Sequence, residues 1–234
     1  MKKIIQIFPI ALLLFLVVGC KSEQTKTQDV ASNRVKKQEK STEPAKISKK
    51  TILCFGNSLT AGYGLEDESM AWPALLQNRL NEMGANYSVV NAGLSGETSS
   101  GGLNRIDWVL KSPVDIFILE LGANDMLRGF DIKQAESNLR EILNIVRQKY
   151  PESEIVIAGM LAPPNLGKEY QVAYDNIFPN LAKEFNGALI PFFLEGVALR
   201  EDLNLPDGIH PNVEGQKIVL ENVWKAVAGL LEVS

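Results

Sequence analysis

The chain has 234 residues, 45% of them hydrophobic, enough to bury one substantial core, so a single folded domain is the natural expectation. Eleven of its 24 lysines and arginines but only four of its 28 acidic residues fall in 1–50, so 51–234 hold 13 against 24, a formal net of −11. An acidic domain argues against nucleic acid as a partner, because that contact needs basic surface, and the two cysteines, Cys20 and Cys54, give no disulfide framework.

In chain order, Lys2 and Lys3 precede an apolar run from Ile4 to Val18, a charged n-region and an h-region too short to span a bilayer. The run closes as Val17-Val18-Gly19-Cys20, which resembles the lipobox of bacterial lipoproteins, where the cysteine is acylated and becomes the new N-terminus. The resemblance implies a signal peptide over 1–19, lipidation of Cys20 and a lipid-anchored position in the cell envelope. An ordinary signal peptide followed by a chance cysteine is the other reading. Residues 20–49 hold almost no large apolar side chains and cannot offset the entropy of ordering, so they are expected to be a disordered tether, with a typical span of roughly 30 Å. The folded domain is expected over 50–234. Cys54 then has no partner and is expected to be a small buried residue in a strand.

From Thr51 onward short apolar runs alternate with helical patterns. TILCFG, YSVVNAG, VDIFILELG, EIVIAGM and ALIPFF read as five strands, and their near-continuous hydrophobicity suits a parallel sheet covered on both faces. Leu139, Ile142, Leu143 and Val146 mark a helix over 133–149, and Ile218, Val219, Val223, Val227 and Leu230 mark a final one. Further helices are expected over 72–83, 103–110 and 172–185. The alternation implies a three-layer α/β domain with a five-stranded parallel sheet.

Ligands of such folds bind beyond the carboxyl ends of the strands. Those positions hold Gly56-Asn57-Ser58, then Gly93 to Thr98 with Gly96 among them, then Gly122-Ala123-Asn124-Asp125, and further on Asp207-Gly208-Ile209-His210. His210 is the single histidine, and Asp207 lies three residues before it, close enough to orient its ring. A serine hydroxyl needs such a base to become a nucleophile. Ser58 at a strand-to-helix turn suits that part, although serine there also serves as a helix cap. Asn124 offers a side-chain donor and Gly96 a backbone donor for an oxyanion, together with the Ser58 N–H.

These blocks resemble, in order and spacing, the four blocks of the SGNH (GDSL-type) hydrolases. AGYGL, AWPALL, VVNAGLSGET, ELGANDMLRGF and DGIHPN are similar to a branch of bacterial multifunctional acyl-CoA thioesterases, proteases, lysophospholipases and arylesterases. The resemblance implies a flavodoxin-like fold, hydrolysis of small acyl esters, thioesters or lysolipids, and no cofactor or metal. It assigns Ser58, Asp207 and His210 to a triad, and Ser58, Gly96 and Asn124 to the oxyanion hole. The family's aspartate before the serine is here Asn57, and because Asp207 supplies the triad acid, activity is expected to survive the exchange. Met126, Leu127, Phe130 and Leu166 are candidates for an acyl-binding wall, with anchoring of loops into the core as the alternative. A monomer is expected. A carbohydrate O-acetylesterase on the same site, or a non-catalytic envelope binding lipoprotein, would satisfy the same motifs.

Overall fold

The computed structural model describes residues 49–232. The leader, Cys20 and nearly all of the tether lie outside the described residues.

Five strands form one parallel sheet: β1 (Lys50–Gly56), β2 (Tyr87–Gly93), β3 (Ile116–Glu120), β4 (Glu154–Ala158) and β5 (Ala188–Ile190). Their order is β2-β1-β3-β4-β5, the flavodoxin-like order of doubly wound sheets. The five apolar runs of the sequence are therefore the five strands: β2 has the bounds of its run, β1 starts one residue earlier, and β3, β4 and β5 are shorter than theirs. β5 stops at Ile190 because Pro191 follows, and proline has no N–H to give a ladder. Where β1 runs between β2 and β3, Ile52, Leu53, Cys54 and Phe55 are all buried, and Cys54 is a free thiol as expected.

Among the described residues, eight α-helices accompany the sheet: α1 (Ser58–Ala61), α2 (Trp72–Glu82), α3 (Ser99–Val109), α4 (Ala123–Leu127), α5 (Ile132–Lys149), α6 (Lys168–Asp175), α7 (Ile177–Glu184) and α8 (Val213–Val227). The longest, α5, is capped by Asp131, whose Oδ1 accepts the Gln134 N–H at 2.8 Å, and it turns Leu139, Ile142, Leu143 and Val146 into the core.

Two of the expected helices differ most; besides them, α4 is an additional short helix and α8 ends at Val227, with Leu230 in a following 3-10 turn. α3 begins four residues before Leu103, so Gly101 and Gly102 lie inside it. A Cβ on Gly102 would stand 2.5 Å from Leu121 Cδ1 and 3.2 Å from Phe55 Cε1, so the glycine that reads as a breaker is what lets the helix lie against the sheet. The single helix expected over 172–185 is two, α6 and α7, meeting at Asn176. Pro179 enforces the break: in one continuous helix its ring would collide with the carbonyl of Asp175, whereas in the first turn of α7 it is tolerated.

Candidate active site

Every strand but the short β5 passes directly into a loop that contributes to one rim. β1 ends at Gly56, Asn57 caps α1 by accepting the Leu59 N–H at 2.9 Å, and Ser58 is the first helical residue, 9% exposed. Its N–H therefore has no acceptor within the helix. One residue thus presents a hydroxyl and a free backbone donor at the same point.

His210 reaches that hydroxyl from the far end of the chain. Its Nε2 lies 2.8 Å from Ser58 Oγ, and its Nδ1 lies 2.7 Å from Asp207 Oδ2. The loop carrying both is braced locally: the Leu205 N–H donates to the His210 carbonyl at 2.7 Å, and Asn204 and Pro211 form a bridge. Asp207 Oδ1 also accepts the N–H groups of Ile209 and His210, at 2.9 and 3.0 Å. Those donors, the His210 N–H foremost, hold the Asp207 carboxyl down at about 2, so it stays ionised beside the ring. Tyr63 packs against the imidazole with ring centroids 4.7 Å apart.

The two expected oxyanion donors are tied into one unit. Asn124 Nδ2 donates to the Glu97 carbonyl at 2.9 Å, and Arg128 Nη2 donates to the Gly96 carbonyl at 2.8 Å, so the loop after β2 is strapped to the loop after β3. The Glu97 side chain is buried and paired with Arg105, whose Nη2 also donates to the Ala92 carbonyl at 2.8 Å. Asn124 keeps its second amide hydrogen, and Gly96, at φ +80°, keeps its backbone N–H unpaired among the described residues.

The four apolar candidates separate. Phe130 and Leu166 come together in a groove of about 640 Å³ that Ile132, Tyr170 and Ala173 also line. Met126 packs instead against the core, and Leu127 is exposed outside that groove. Sequence reasoning missed Glu120, the last residue of β3, which is buried and accepts the Asn57 Nδ2 at 2.7 Å. A carboxylate closing an otherwise apolar strand was its one visible sign, since buried charge demands partners. Its partners lie sixty and sixty-three residues away, at the serine turn.

A hydroxyl bonded to an oriented imidazole, at the carboxyl edge of a sheet of this order, places the molecule among the α/β serine hydrolases. The model of the GDSL-like lipase/acylhydrolase family matches residues 54–218. The chain is 40% identical over 182 residues to the esterase TesA of Pseudomonas aeruginosa, covering 77% of this chain and 89% of that protein. It is 43% identical over 177 residues to the thioesterase 1/protease 1/lysophospholipase L1 of Escherichia coli K12, covering 75% and 81%. The crystal structure of TesA superposes with a TM-score of 0.73 at 40% identity, over 78% of this chain and all of that one. The chain belongs to the GDSL-like lipase/acylhydrolase family and is an ester hydrolase.

Proposed function

We propose that the chain hydrolyses acyl esters and thioesters, including aryl esters, acyl-CoA and lysophospholipids, through Ser58, His210 and Asp207 and a covalent acyl-enzyme. The observation that carries this reading is the Ser58 Oγ to His210 Nε2 contact of 2.8 Å, continued by the 2.7 Å contact from Nδ1 to Asp207. His210 takes the hydroxyl proton as Ser58 Oγ attacks the acyl carbon. The oxyanion is held by the Ser58 N–H, the Gly96 N–H and the free hydrogen of the Asn124 amide. His210 then gives its proton to the leaving alkoxide or thiolate, and water repeats the sequence to release the acid. Asp207 fixes the tautomer that points a bare Nε2 at the serine, and its charge stabilises the imidazolium formed midway.

Phe130 and Leu166 would lie along the acyl chain in the groove they share. The reading extends to the chain's placement: a leader ending before Cys20, lipid on that cysteine and a catalytic domain held at the envelope membrane by a flexible tether, acting as a monomer.

The test is a fluorophosphonate probe and a substrate panel on the wild type and His210→Ala. Labelling of Ser58, turnover of p-nitrophenyl esters with chains longer than acetate, and loss of turnover in the variant are expected. An unlabelled Ser58 or a variant at the wild-type rate overturns the scheme. Release of acetate from acetylated glycans without cleavage of lysophospholipid would overturn the substrate class.

A further inference from the structure

Glu120 takes no part in the proton transfers above, yet it lies against the serine turn. It is 1% exposed, and both of its oxygens face donors. Oε1 accepts from Asn57 Nδ2 at 2.7 Å, while Oε2 accepts from the Asn57 N–H at 3.1 Å and from Thr60 Oγ1 at 2.7 Å. The carboxylate thus grips the residue before Ser58 and the residue two after it. Room for it is made at Gly56, where a Cβ would stand 2.5 Å from Glu120 Oε2.

This grip decides which way the Asn57 amide lies. With Nδ2 turned to Glu120, Oδ1 faces α1, where it accepts the Leu59 N–H at 2.9 Å and lies 3.3 Å from Ser58 Oγ. A flipped amide would set its oxygen against the carboxylate and its NH₂ against the Leu59 N–H. The carboxylate therefore selects the cap of the helix that begins with Ser58.

We propose that Glu120 is a positioning residue for Ser58, competent as the anion, and that it fixes the direction of the serine hydroxyl through Asn57 and Thr60. The inference deepens the serine chemistry proposed above and rests on it.

Protonating Glu120 weakens the grip, because a proton on Oε1 would face the Asn57 NH₂. Among the described residues no lysine, arginine or histidine pairs with it. Burial pushes it up to about 7, against the pull of the Thr60 and Asn57 donors. Around it stand Arg105 of α3, which reaches the Gly56 carbonyl at 3.4 Å but is committed to Glu97, and Tyr174 of α6, whose own ionisation the Glu120 charge opposes. Asp125 of α4 is committed to Ser99, and His210 stands across Ser58. The raised carboxyl gives the sign: the competent anion is present above that range and is lost as pH falls through it. Losing that anion therefore lowers the rate on the acid side.

The experiment measures kcat and KM for a p-nitrophenyl ester across pH, with the full chain, for the wild type, Glu120→Gln and the double variant Asn57→Asp with Glu120→Gln. In the single variant an NH₂ replaces one acceptor and meets a donor, so kcat should fall roughly tenfold to a hundredfold with KM nearly unchanged. In the double variant the glutamine at 120 donates to the aspartate at 57 and still accepts from the turn, so kcat should recover most of that loss. The wild-type kcat should fall as pH drops through about 7. A single variant at the wild-type rate, a double variant no better than the single, or a wild-type kcat that stays flat as pH falls through about 7 each overturns the proposal, and the last holds even if the variants do not fold. Fluorophosphonate labelling of wild-type Ser58 separates the two readings, since its absence defeats the serine mechanism itself.

Discussion

Asp207 divides its work between its two oxygens, one holding the loop and the other holding the ring. Asp207→Asn keeps an oxygen for the loop but offers an NH₂ to His210 Nδ1, which forces the tautomer with its hydrogen on Nε2. That nitrogen then cannot accept the Ser58 proton. Turnover of an aryl ester should fall on the order of 10⁴-fold, with little change in melting temperature, and the two measured together separate chemistry from folding. Because the aspartate is held down at about 2, the bonds it makes as an anion persist above the ordinary carboxylate range and are lost only as pH falls through that value. Ser58, Asp207, His210 and Asn124 were legible because each follows a strand or stands beside a chemically demanding neighbour. Glu120 was not, because what makes it matter is three donors brought to it by the pairing of β1 with β3.

Among the elements, α3 shows how closely the layers are fitted. Its Gly102 faces Leu121 and Phe55 where no methyl group fits, so Gly102→Val should cost about 1–3 kcal/mol in a urea titration. The same shift would disturb Arg105, three residues along the helix, which holds Glu97 and through it the Asn124 contact, so kcat should drop as well. Strands were read well because parallel strands covered on both faces are long apolar runs, a signal that needs no context. Helices were read less well at two points. The glycine pair in α3 scores as a breaker until the sheet beneath it is known, and the split between α6 and α7 turns on one proline whose effect depends on where the helix starts.

For the molecule as a whole, the described residues carry a continuous buried core drawn from β1 to α8, and the expected tether offers almost no large apolar side chains to add to it. A protein starting at Lys49 should therefore unfold with the same urea midpoint as the full chain and hydrolyse soluble aryl esters at the same rate, while losing any preference for substrate presented in vesicles that a lipid anchor would confer. The parallel sheet follows from the alternation of strands and helices and the flavodoxin-like fold from the resemblance of the four blocks, and the five-stranded sheet of order β2-β1-β3-β4-β5 bears both out. What no sequence pattern carried was the strapping of one rim loop to another by Asn124 and Arg128, because those bonds go to backbone carbonyls, which every residue has.

β1 begins at Lys50 on the amino edge of the sheet and ends at Gly56, two residues before Ser58, so about 20 Å of strand separates the point where the chain enters the domain from the reactive hydroxyl. A bead or electrode coupled at Lys49, in a protein starting there, would leave the reactive face turned outward and open to diffusing esters. Coupling through a cysteine introduced by Ile209→Cys, an exposed position beside His210 in the stretch between β5 and α8, would crowd it against the support.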